Sequence, residues 1–203
     1  MAYGMGVFKS IFLPFCSCCH RNYVYSNALC KRCIEFLNFK IKSSDDILYF
    51  FEYRDEYKKM VLSYKKDGQK ALGRFFANGI LKFLVDIDFD MVVSVPCSMK
   101  RKLFYGFDHM EYIGNLLAKN GINYVNILKR GWSKSQKLLR GRLRLNNLEN
   151  KIKLRLKNKD IKCKRIVLID DIVTTGTSMS FCEDILIKNG ACRVVKLSIS
   201  KVF

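Results

Sequence analysis

A chain of 203 residues, of which 49% are hydrophobic, is long enough to bury one substantial core and too short for two full-sized domains. Its formal net charge of +19 is more than a small phosphorylated ligand requires, so the charge indicates a polyanion such as nucleic acid, or a membrane surface. Part of the excess has an alternative origin in an AT-rich coding sequence, which favours lysine, asparagine and isoleucine.

The apolar start of the chain, residues 1–15, does not resemble a signal peptide. It lacks a basic leader, is interrupted by Lys9 and runs into cysteines without a small-residue cleavage site. The chain also contains no run of about 18 apolar residues, the length that a spanning helix needs. We therefore expect a cytoplasmic protein without a membrane span.

Nine cysteines would suit a secreted disulfide scaffold, but five of them cluster between Cys16 and Cys33, which favours a metal site in a reducing compartment. Two Cys-x-x-Cys pairs separated by ten residues can close tetrahedrally on one zinc ion. The predicted zinc ligands are Cys16, Cys19, Cys30 and Cys33. Cys18 and His20 are alternative ligands, and reduced cysteines without metal are the other interpretation. We expect a structural site in a small module, residues 1–40.

Residues 41–203 are predicted to form the main domain. Residues 40–46 are polar and read as a linker, and the segments after it have strand or helix patterns that end at glycine, proline or asparagine. We predict strands at 47–53, 91–95, 122–128 and 191–200, and helices at 54–66, 70–85 and from a cap at Asp108 to Asn120. The last strand is expected to close the sheet.

The stretch from Arg165 to Ser180 carries the main functional signal. Four aliphatic residues, 166–169, predict a strand buried on both faces, which we expect to stop at Asp170 and Asp171. A loop of hydroxyl residues then leads into a helix over 177–189. Such a loop at a helix N-terminus is an anion cradle, and open α/β sheets bind ligands at the carboxyl ends of their strands.

A ligand that fits this stretch has a phosphate at one end and hydroxyls at the other, as a ribose 5-phosphate does. The carboxylates would accept hydrogen bonds from the 2- and 3-hydroxyls while the loop holds the 5-phosphate. The predicted ligand-binding residues are Asp170, Asp171, Val173, Thr174, Thr175, Gly176, Thr177 and Ser178. The alternative is an ordinary strand, an acidic turn and a hydroxyl-capped helix without a ligand.

A basic loop follows Pro96 at the end of the 91–95 strand. Right-handed crossovers would set that strand near the 166–169 strand, so the loop would face the same ligand. Lys100 and Arg101 are then candidates for holding a pyrophosphate, although a solvated basic turn has the same composition. His109, in the first turn of the next helix, is a lone histidine that we expect to be structural or exposed.

Most of the positive charge lies between Lys129 and Arg165, where fifteen lysine and arginine residues face two acidic ones. Residues 151–157 alternate between aliphatic and cationic side chains, the pattern of a strand with a cationic outer face. The predicted DNA-binding residues are Lys134, Lys137, Arg140, Arg142, Arg144, Lys151, Lys153, Arg155 and Lys157. Trp132 opens the segment in a setting typical of a mobile loop. Lysines on an edge strand also prevent aggregation, which is the alternative reason for this pattern.

With these parts assembled, nearly the whole chain resembles the competence-associated ComF family, small phosphoribosyltransferase-like proteins with an N-terminal zinc finger. The resemblance is carried by the two cysteine pairs, Val95-Pro96 followed by Lys100 and Arg101, Gly106-Phe107, the set Gln136, Leu139, Arg144 and Asn147, and the VLIDDIVTTGTS signature. That signature also resembles the phosphoribosyl pyrophosphate (PRPP) motif of type I phosphoribosyltransferases.

The resemblance implies an α/β fold, a type I phosphoribosyltransferase-like parallel sheet flanked by helices, that binds PRPP with Mg²⁺. It also implies a role in natural transformation, in which the protein helps single-stranded DNA enter the cytoplasm, with the DNA-uptake machinery at the inner membrane face as a partner. Thr174 stands where purine-salvage relatives carry a general-base aspartate, so a base-specific salvage reaction is less expected.

Three functions stay open from the sequence. The first is a DNA-uptake factor that binds single-stranded DNA and PRPP. The second is an active phosphoribosyltransferase that transfers ribose 5-phosphate to an unknown acceptor in nucleotide metabolism. The third is a zinc-dependent scaffold with an inactive sugar site.

Overall fold

The computed structural model of the chain describes residues 15–66, 69–98, 102–104, 106–131, 152–155 and 161–203. Its elements are a mixture of helices and strands along the chain. The helices are α1 (Lys31–Phe36), α2 (Asp55–Lys66), α3 (Lys70–Leu84), α4 (His109–Lys119) and α5 (Thr177–Lys188). The strands are β1 (Lys42–Ser44), β2 (Ile47–Glu52), β3 (Met91–Ser94), β4 (Leu128–Arg130), β5 (Ile152–Leu154), β6 (Arg165–Val173) and β7 (Arg193–Lys201).

Five strands form the main sheet in the order β1-β2-β7-β6-β3. The pairs β2–β7, β7–β6 and β6–β3 are parallel, and β1 joins the edge in the antiparallel sense. The pairing of β3 with β6 confirms the predicted neighbourhood of these two strands. The last strand of the chain, β7, lies in the middle of the sheet between β2 and β6 and does not close its edge.

Side chains of β6 alternate between two hydrophobic layers. Val167 and Ile169 belong to the core shared with α2, α3 and α4, whereas Ile166 and Leu168 belong to the core shared with α5. All four are at most 1% exposed. A mainly parallel sheet covered by helices on both faces confirms the α/β fold class that the aliphatic run predicted.

The acid pair does not end β6, contrary to the sequence-based expectation. The strand continues to Val173, because the long partner strand β7 keeps offering backbone groups: Asp170 pairs with Ser198 and Val173 with Lys201. The predicted strand at 122–128 is also wrong in its bounds. Tyr124 makes a single parallel bridge to Val92, and the regular strand is β4, which pairs antiparallel with β5 in a separate small sheet.

The cysteine segment packs directly on the α2–α3–α4 side of the sheet. Leu29 and Leu37 are buried in the same hydrophobic core as Phe50 and Phe51 of β2. Phe39 makes an edge-to-face contact with Phe50 at 5.0 Å between ring centroids. One hydrophobic core therefore runs from the cysteines to the sheet, and the boundary between modules at residue 40 stays a prediction.

The helices in the described ranges are all too short or too polar to cross a membrane. In the small sheet, Ile152 is buried and Lys153 is exposed, so the predicted alternation holds where β5 is described. The cationic outer face predicted for 151–157 is therefore visible at Lys153, with Arg155 exposed just beyond the strand.

Candidate ligand site and metal centre

A cavity of about 890 Å³ opens at the carboxyl ends of β3 and β6. Its size is in the range of sites that enclose small-molecule ligands. All eight residues predicted to bind the sugar phosphate line it: Asp170, Asp171, Val173, Thr174, Thr175, Gly176, Thr177 and Ser178. Val95, Pro96 and Cys97, which precede the predicted pyrophosphate loop, line the β3 side of the cavity.

The phosphate loop depends on a glycine. Gly176 has φ +75°, in the left-handed region, and it directly precedes the first residue of α5. A Cβ at this position would lie 2.9 Å from Cδ1 of Ile47, so a side chain would be both strained and crowded. The Oγ1 atoms of Thr175 and Thr177 lie 2.8 Å apart across the turn. The loop thus offers hydroxyls and the N–H groups of the first helical turn to an anion.

The two carboxylates of the acid pair are held by neighbouring backbone. Asp170 Oδ1 accepts a hydrogen bond from the N–H of Asp171 at 2.8 Å, and Asp171 Oδ1 accepts one from the N–H of Ile172 at 2.6 Å. The outer oxygen of Asp171, Oδ2, lies 2.7 Å from Nζ of Lys65. Both side chains of this ion pair are only 14% exposed.

Lys65 and Arg130 are cavity-lining residues that sequence reasoning missed. Lys65 lies in the last turn of α2 and lines the cavity together with Arg130, at the end of β4. The available signal was helical spacing, because Lys65 follows the buried Val61 by four residues and so faces inward. Among the described residues, these two cations line a cavity whose acidic residues alone would repel a polyphosphate.

His109 joins the start of α4 to the end of α2 beside Lys65. Its Nε2 donates a hydrogen bond to the carbonyl oxygen of Lys65 at 3.1 Å, and its own carbonyl oxygen accepts one from the Tyr64 hydroxyl at 2.7 Å. The ring is buried against Phe107, with centroids 4.3 Å apart. Burial lowers the pKa of His109, against the hydrogen bond to Lys65, which acts to raise it. These contacts are structural, and His109 also lines the cavity.

Asp108 caps α4 as predicted. Its Oδ1 accepts hydrogen bonds from the N–H groups of Met110 and Glu111, at 3.2 and 3.1 Å. Burial raises the pKa of Asp108 above its usual value. Asp108 also lines the cavity, so the cap fixes one wall of the site.

Several predicted site residues lie outside the described residues. These are the pyrophosphate candidates Lys100 and Arg101, the aromatic Trp132 and the DNA-binding candidates Lys134, Lys137, Arg140, Arg142, Arg144, Lys151 and Lys157. Of the predicted DNA-binding set, Lys153 and Arg155 are described, and both are exposed.

The four predicted metal ligands come together. The Sγ atoms of Cys16, Cys19, Cys30 and Cys33 all lie within 4.8 Å of one another, and those of Cys19 and Cys30 are 3.9 Å apart. Tetrahedral zinc with Zn–S bonds of about 2.3 Å needs sulfur atoms about 3.8 Å apart, so these thiols fit a metal ion such as zinc. Cys18 and His20 are not members of the group that the described residues form.

Local hydrogen bonds prepare these thiols for a metal. Backbone N–H groups approach the sulfur atoms of Cys16 and Cys30 at 3.4 Å, from Cys18 and Cys33. Burial opposes ionisation of Cys19, but the backbone N–H groups that follow it outweigh burial and lower the pKa of Cys19 to about 6. Burial raises the pKa of Cys18 to about 11, and it also raises the pKa of the ligand candidate Cys33. The donor set is therefore assigned by geometry, because the thiols that come together are those of the two Cys-x-x-Cys pairs.

Replacing His109 by glutamine is expected to flatten the pH dependence of stability. Because the pKa of His109 is lowered in the folded protein, its contribution to stability is present above the unfolded pKa of about 6.5 and is lost as the pH falls below that value. Urea unfolding of His109→Gln and parent at pH 7.5 and 5.5 checks this. An unchanged pH dependence in His109→Gln would contradict the assignment.

Comparison with known proteins finds relatives that are named for competence or for DNA utilization. No protein-family model matches the sequence. DNA utilization protein YhgH of Escherichia coli (strain K12) is 29% identical over 108 residues, which are 52% of this chain and 46% of that protein. Competence protein ComFC of Streptococcus pneumoniae (strain ATCC BAA-255 / R6) is 27% identical over 149 residues, 73% of this chain and 65% of that protein.

These matches leave part of each relative uncovered: the chain spans less than half of YhgH and just under two thirds of ComFC. A solved structure of adenine phosphoribosyltransferase is similar over 83% of this chain and 88% of that chain, with 14% identity and a TM-score of 0.43. The resemblance to competence proteins of the ComF type, carried by the cysteine pairs and the VLIDDIVTTGTS signature, is thus confirmed by homologues that bear the names ComFC and YhgH.

Proposed function

We propose that this protein assists DNA uptake in natural transformation, binding PRPP in the cavity beside β6 and single-stranded DNA on its basic surface. The observation that carries the proposal is the meeting of the acid pair, the glycine-dependent phosphate loop and Lys65 around one cavity. Relatives named for competence and DNA utilization support the cellular role. The net charge of +19 supports a nucleic-acid partner.

The chemistry of the cavity suits PRPP at each end. The hydroxyls and N–H groups at the start of α5 suit the 5-phosphate, and the carboxylates of Asp170 and Asp171 suit the ribose hydroxyls. Lys65 and Arg130 add positive charge for a diphosphate, together with the predicted Lys100 and Arg101. Mg²⁺ bound with the ligand would neutralise the diphosphate, and the acid pair provides the oxygen ligands that this ion prefers.

Zinc is the metal that we propose for the four-cysteine site. Four thiolates without an open position are typical of structural zinc, which stabilises a fold and takes no part in catalysis. A chain with nine free cysteines also suits the cytoplasm, where we place the protein, next to the DNA-uptake machinery at the inner membrane face.

The alternative is an active phosphoribosyltransferase. The observation that favours it is the same cavity, which has room for an acceptor beside the sugar phosphate. Transfer would release pyrophosphate, whereas a protein that only binds PRPP would not. Calorimetry with PRPP and Mg²⁺, followed by a pyrophosphate-release assay across nucleobases, separates the two functions. Absence of PRPP binding would overturn the assignment of the cavity.

The nucleic-acid part of the proposal is tested by the salt dependence of binding. Each phosphate contact on a single strand contributes about −0.7 to the slope of log affinity against log salt. Replacing Lys151, Lys153, Arg155 and Lys157 by glutamine is therefore expected to reduce the slope by up to about 3. Fluorescence anisotropy on a labelled oligonucleotide measures it.

The matched control removes four exposed cations from helices and a strand start elsewhere. It consists of glutamine at Lys82, Lys119, Lys188 and Arg193. Because these side chains lie outside the basic segment, the control should keep most of the parent slope. Equal slopes in the two quadruple variants would remove residues 151–157 from the DNA-binding surface.

A further inference from the structure

A second cavity, of about 310 Å³, lies between the cysteine segment and the sheet. It is separate from the ligand cavity, with which it shares no lining residue in the described part of the chain. Its lining includes the aromatic residues Phe36, at the end of α1, and Tyr57, in α2, and the cations Lys40, Lys42 and Arg54. We call this cavity the junction groove. Its volume suits a single nucleotide or a group of similar size.

Three aromatic rings form a ladder that ends at the junction groove. Phe51, which is buried, stacks on Tyr57 with centroids 4.5 Å apart and an interplanar angle of 17°. Tyr57 in turn lies nearly parallel to Phe36, at 6.3 Å and 21°. Phe36 is 64% exposed, so the ladder ends with an exposed ring that is supported by Tyr57. A flat aromatic group from a ligand can extend such a ladder by one step.

Two of the cations that line the groove are held by one carboxylate. Glu52 Oε1 lies 2.9 Å from Nζ of Lys42, and Glu52 Oε2 lies 2.7 Å from Nη2 of Arg54. Lys40 is a third cation, and Glu52 is the single acidic residue of the groove among the described residues. The groove therefore keeps a net positive charge while two of its cations have fixed positions. Anions with several oxygen acceptors suit this arrangement.

We propose that the junction groove binds one nucleotide of single-stranded nucleic acid, with the base stacked on Phe36 and the phosphate held by Lys40, Lys42 and Arg54. An exposed ring beside a cluster of cations is the combination that single-strand binding surfaces use, and it is closed to a duplex, whose bases stack on one another. This inference rests on the proposed nucleic-acid function but assigns a contact outside residues 129–165. It also joins the cysteine segment and the sheet in one binding surface.

The aromatic contact is tested by Phe36→Ala, with Phe36→Trp as the conservative variant. The probe is a fluorescently labelled oligothymidylate of about 12 nucleotides, measured by anisotropy with the full chain in its metal-loaded form. Loss of one stacked base should weaken binding at least about fivefold in Phe36→Ala, whereas Phe36→Trp should retain the parent affinity. Equal affinities of the alanine and tryptophan variants would overturn the stacking contact.

The charged side is tested by two changes of opposite expected sign. Glutamine at Lys40, Lys42 and Arg54 should weaken binding and reduce the salt slope by about 2. Glu52→Gln should strengthen binding, because it removes the acidic competitor for Lys42 and Arg54. The control with the same loss of charge has glutamine at Lys82, Lys119 and Lys188, exposed residues on α3, α4 and α5.

The outcomes separate this inference from the proposed function. If the parent protein binds the oligonucleotide and both Phe36→Ala and the groove triple variant match the control triple variant, the junction groove is not a binding site although the DNA function stands. If the parent does not bind the oligonucleotide at all, the nucleic-acid function itself is wrong and the groove inference falls with it. Equal metal content in all variants excludes loss of the cysteine site as the cause.

Discussion

Loss of the four-cysteine metal site is expected to destabilise the whole protein and not the cysteine segment alone. Binding of structural zinc contributes about 10–16 kcal/mol in isolated modules, which is as large as the total stability of a typical domain, about 5–15 kcal/mol. The segment shares its hydrophobic core with the sheet, through Leu29, Leu37 and Phe39. If the metal leaves, these side chains lose their fixed positions and the aromatic cluster on β2 is exposed. Cys30→Ser should therefore unfold the protein at a much lower temperature than the parent.

Thermal unfolding followed by circular dichroism, with elemental analysis of the purified protein, checks this expectation. Cys163→Ser is the matched control, because Cys163 is an exposed free cysteine outside the metal cluster. That variant should keep both the metal content and the unfolding midpoint of the parent. A parent protein that contains no zinc, or a Cys30→Ser variant that unfolds at the parent's temperature, would contradict the structural role of the site.

The part of the fold that the sequence predicted well is the part in which local pattern and long-range pairing agree. The aliphatic run 166–169 predicted a strand buried on both faces. In the structure its side chains pack alternately against the hydrophobic layers on the two faces of the sheet. The Cys-x-x-Cys spacing likewise predicted the metal cluster, because the four thiols of two such pairs can surround one metal ion.

The errors arose where the partner strand decides the outcome. The extent of β6 beyond Asp171 depends on β7, which lies later in the chain, and local sequence does not show how far that partner continues. The central position of β7 is a property of the sheet topology in the same way. The apolar residues at 122–128 are explained by packing, since Ile127 is fully buried without belonging to a strand. The hydrophobicity of these residues correctly predicted that they are buried, but it did not predict how their backbone pairs.

The ion pair between Asp171 and Lys65 also could not be predicted from local sequence. Asp171 belongs to the signature that the sequence pointed to, but its partner Lys65 lies at the end of α2, far away in the chain. Only the packing of α2 and α4 over the sheet brings the two together, with His109 holding the last turn of α2. The sequence therefore predicted the acids and the loop of the cavity but not the cation that faces them.

Replacing Asp171 by asparagine is expected to weaken PRPP binding at least tenfold. The change removes a charged acceptor for the ribose hydroxyls or for Mg²⁺, and a charged hydrogen bond is worth about 1.5–3 kcal/mol. Thr175→Ala should have a smaller effect, because much of the phosphate cradle is backbone. Calorimetry with PRPP and Mg²⁺ measures both variants. Asp184→Asn, an exposed carboxylate on α5, is the control that should bind like the parent.

A double variant tests whether Lys65 contacts the ligand itself or only positions Asp171. If Lys65 only holds Asp171 in place, the double variant Asp171→Asn, Lys65→Gln should bind PRPP as the single variant Asp171→Asn does, because the contact is already lost. If Lys65 also reaches the diphosphate, as its position on the cavity wall favours, the double variant should bind more weakly than either single variant. We expect the second result. Parent-like binding by Asp171→Asn would show instead that the ligand lies elsewhere, and the acid pair would then be a structural part of β6.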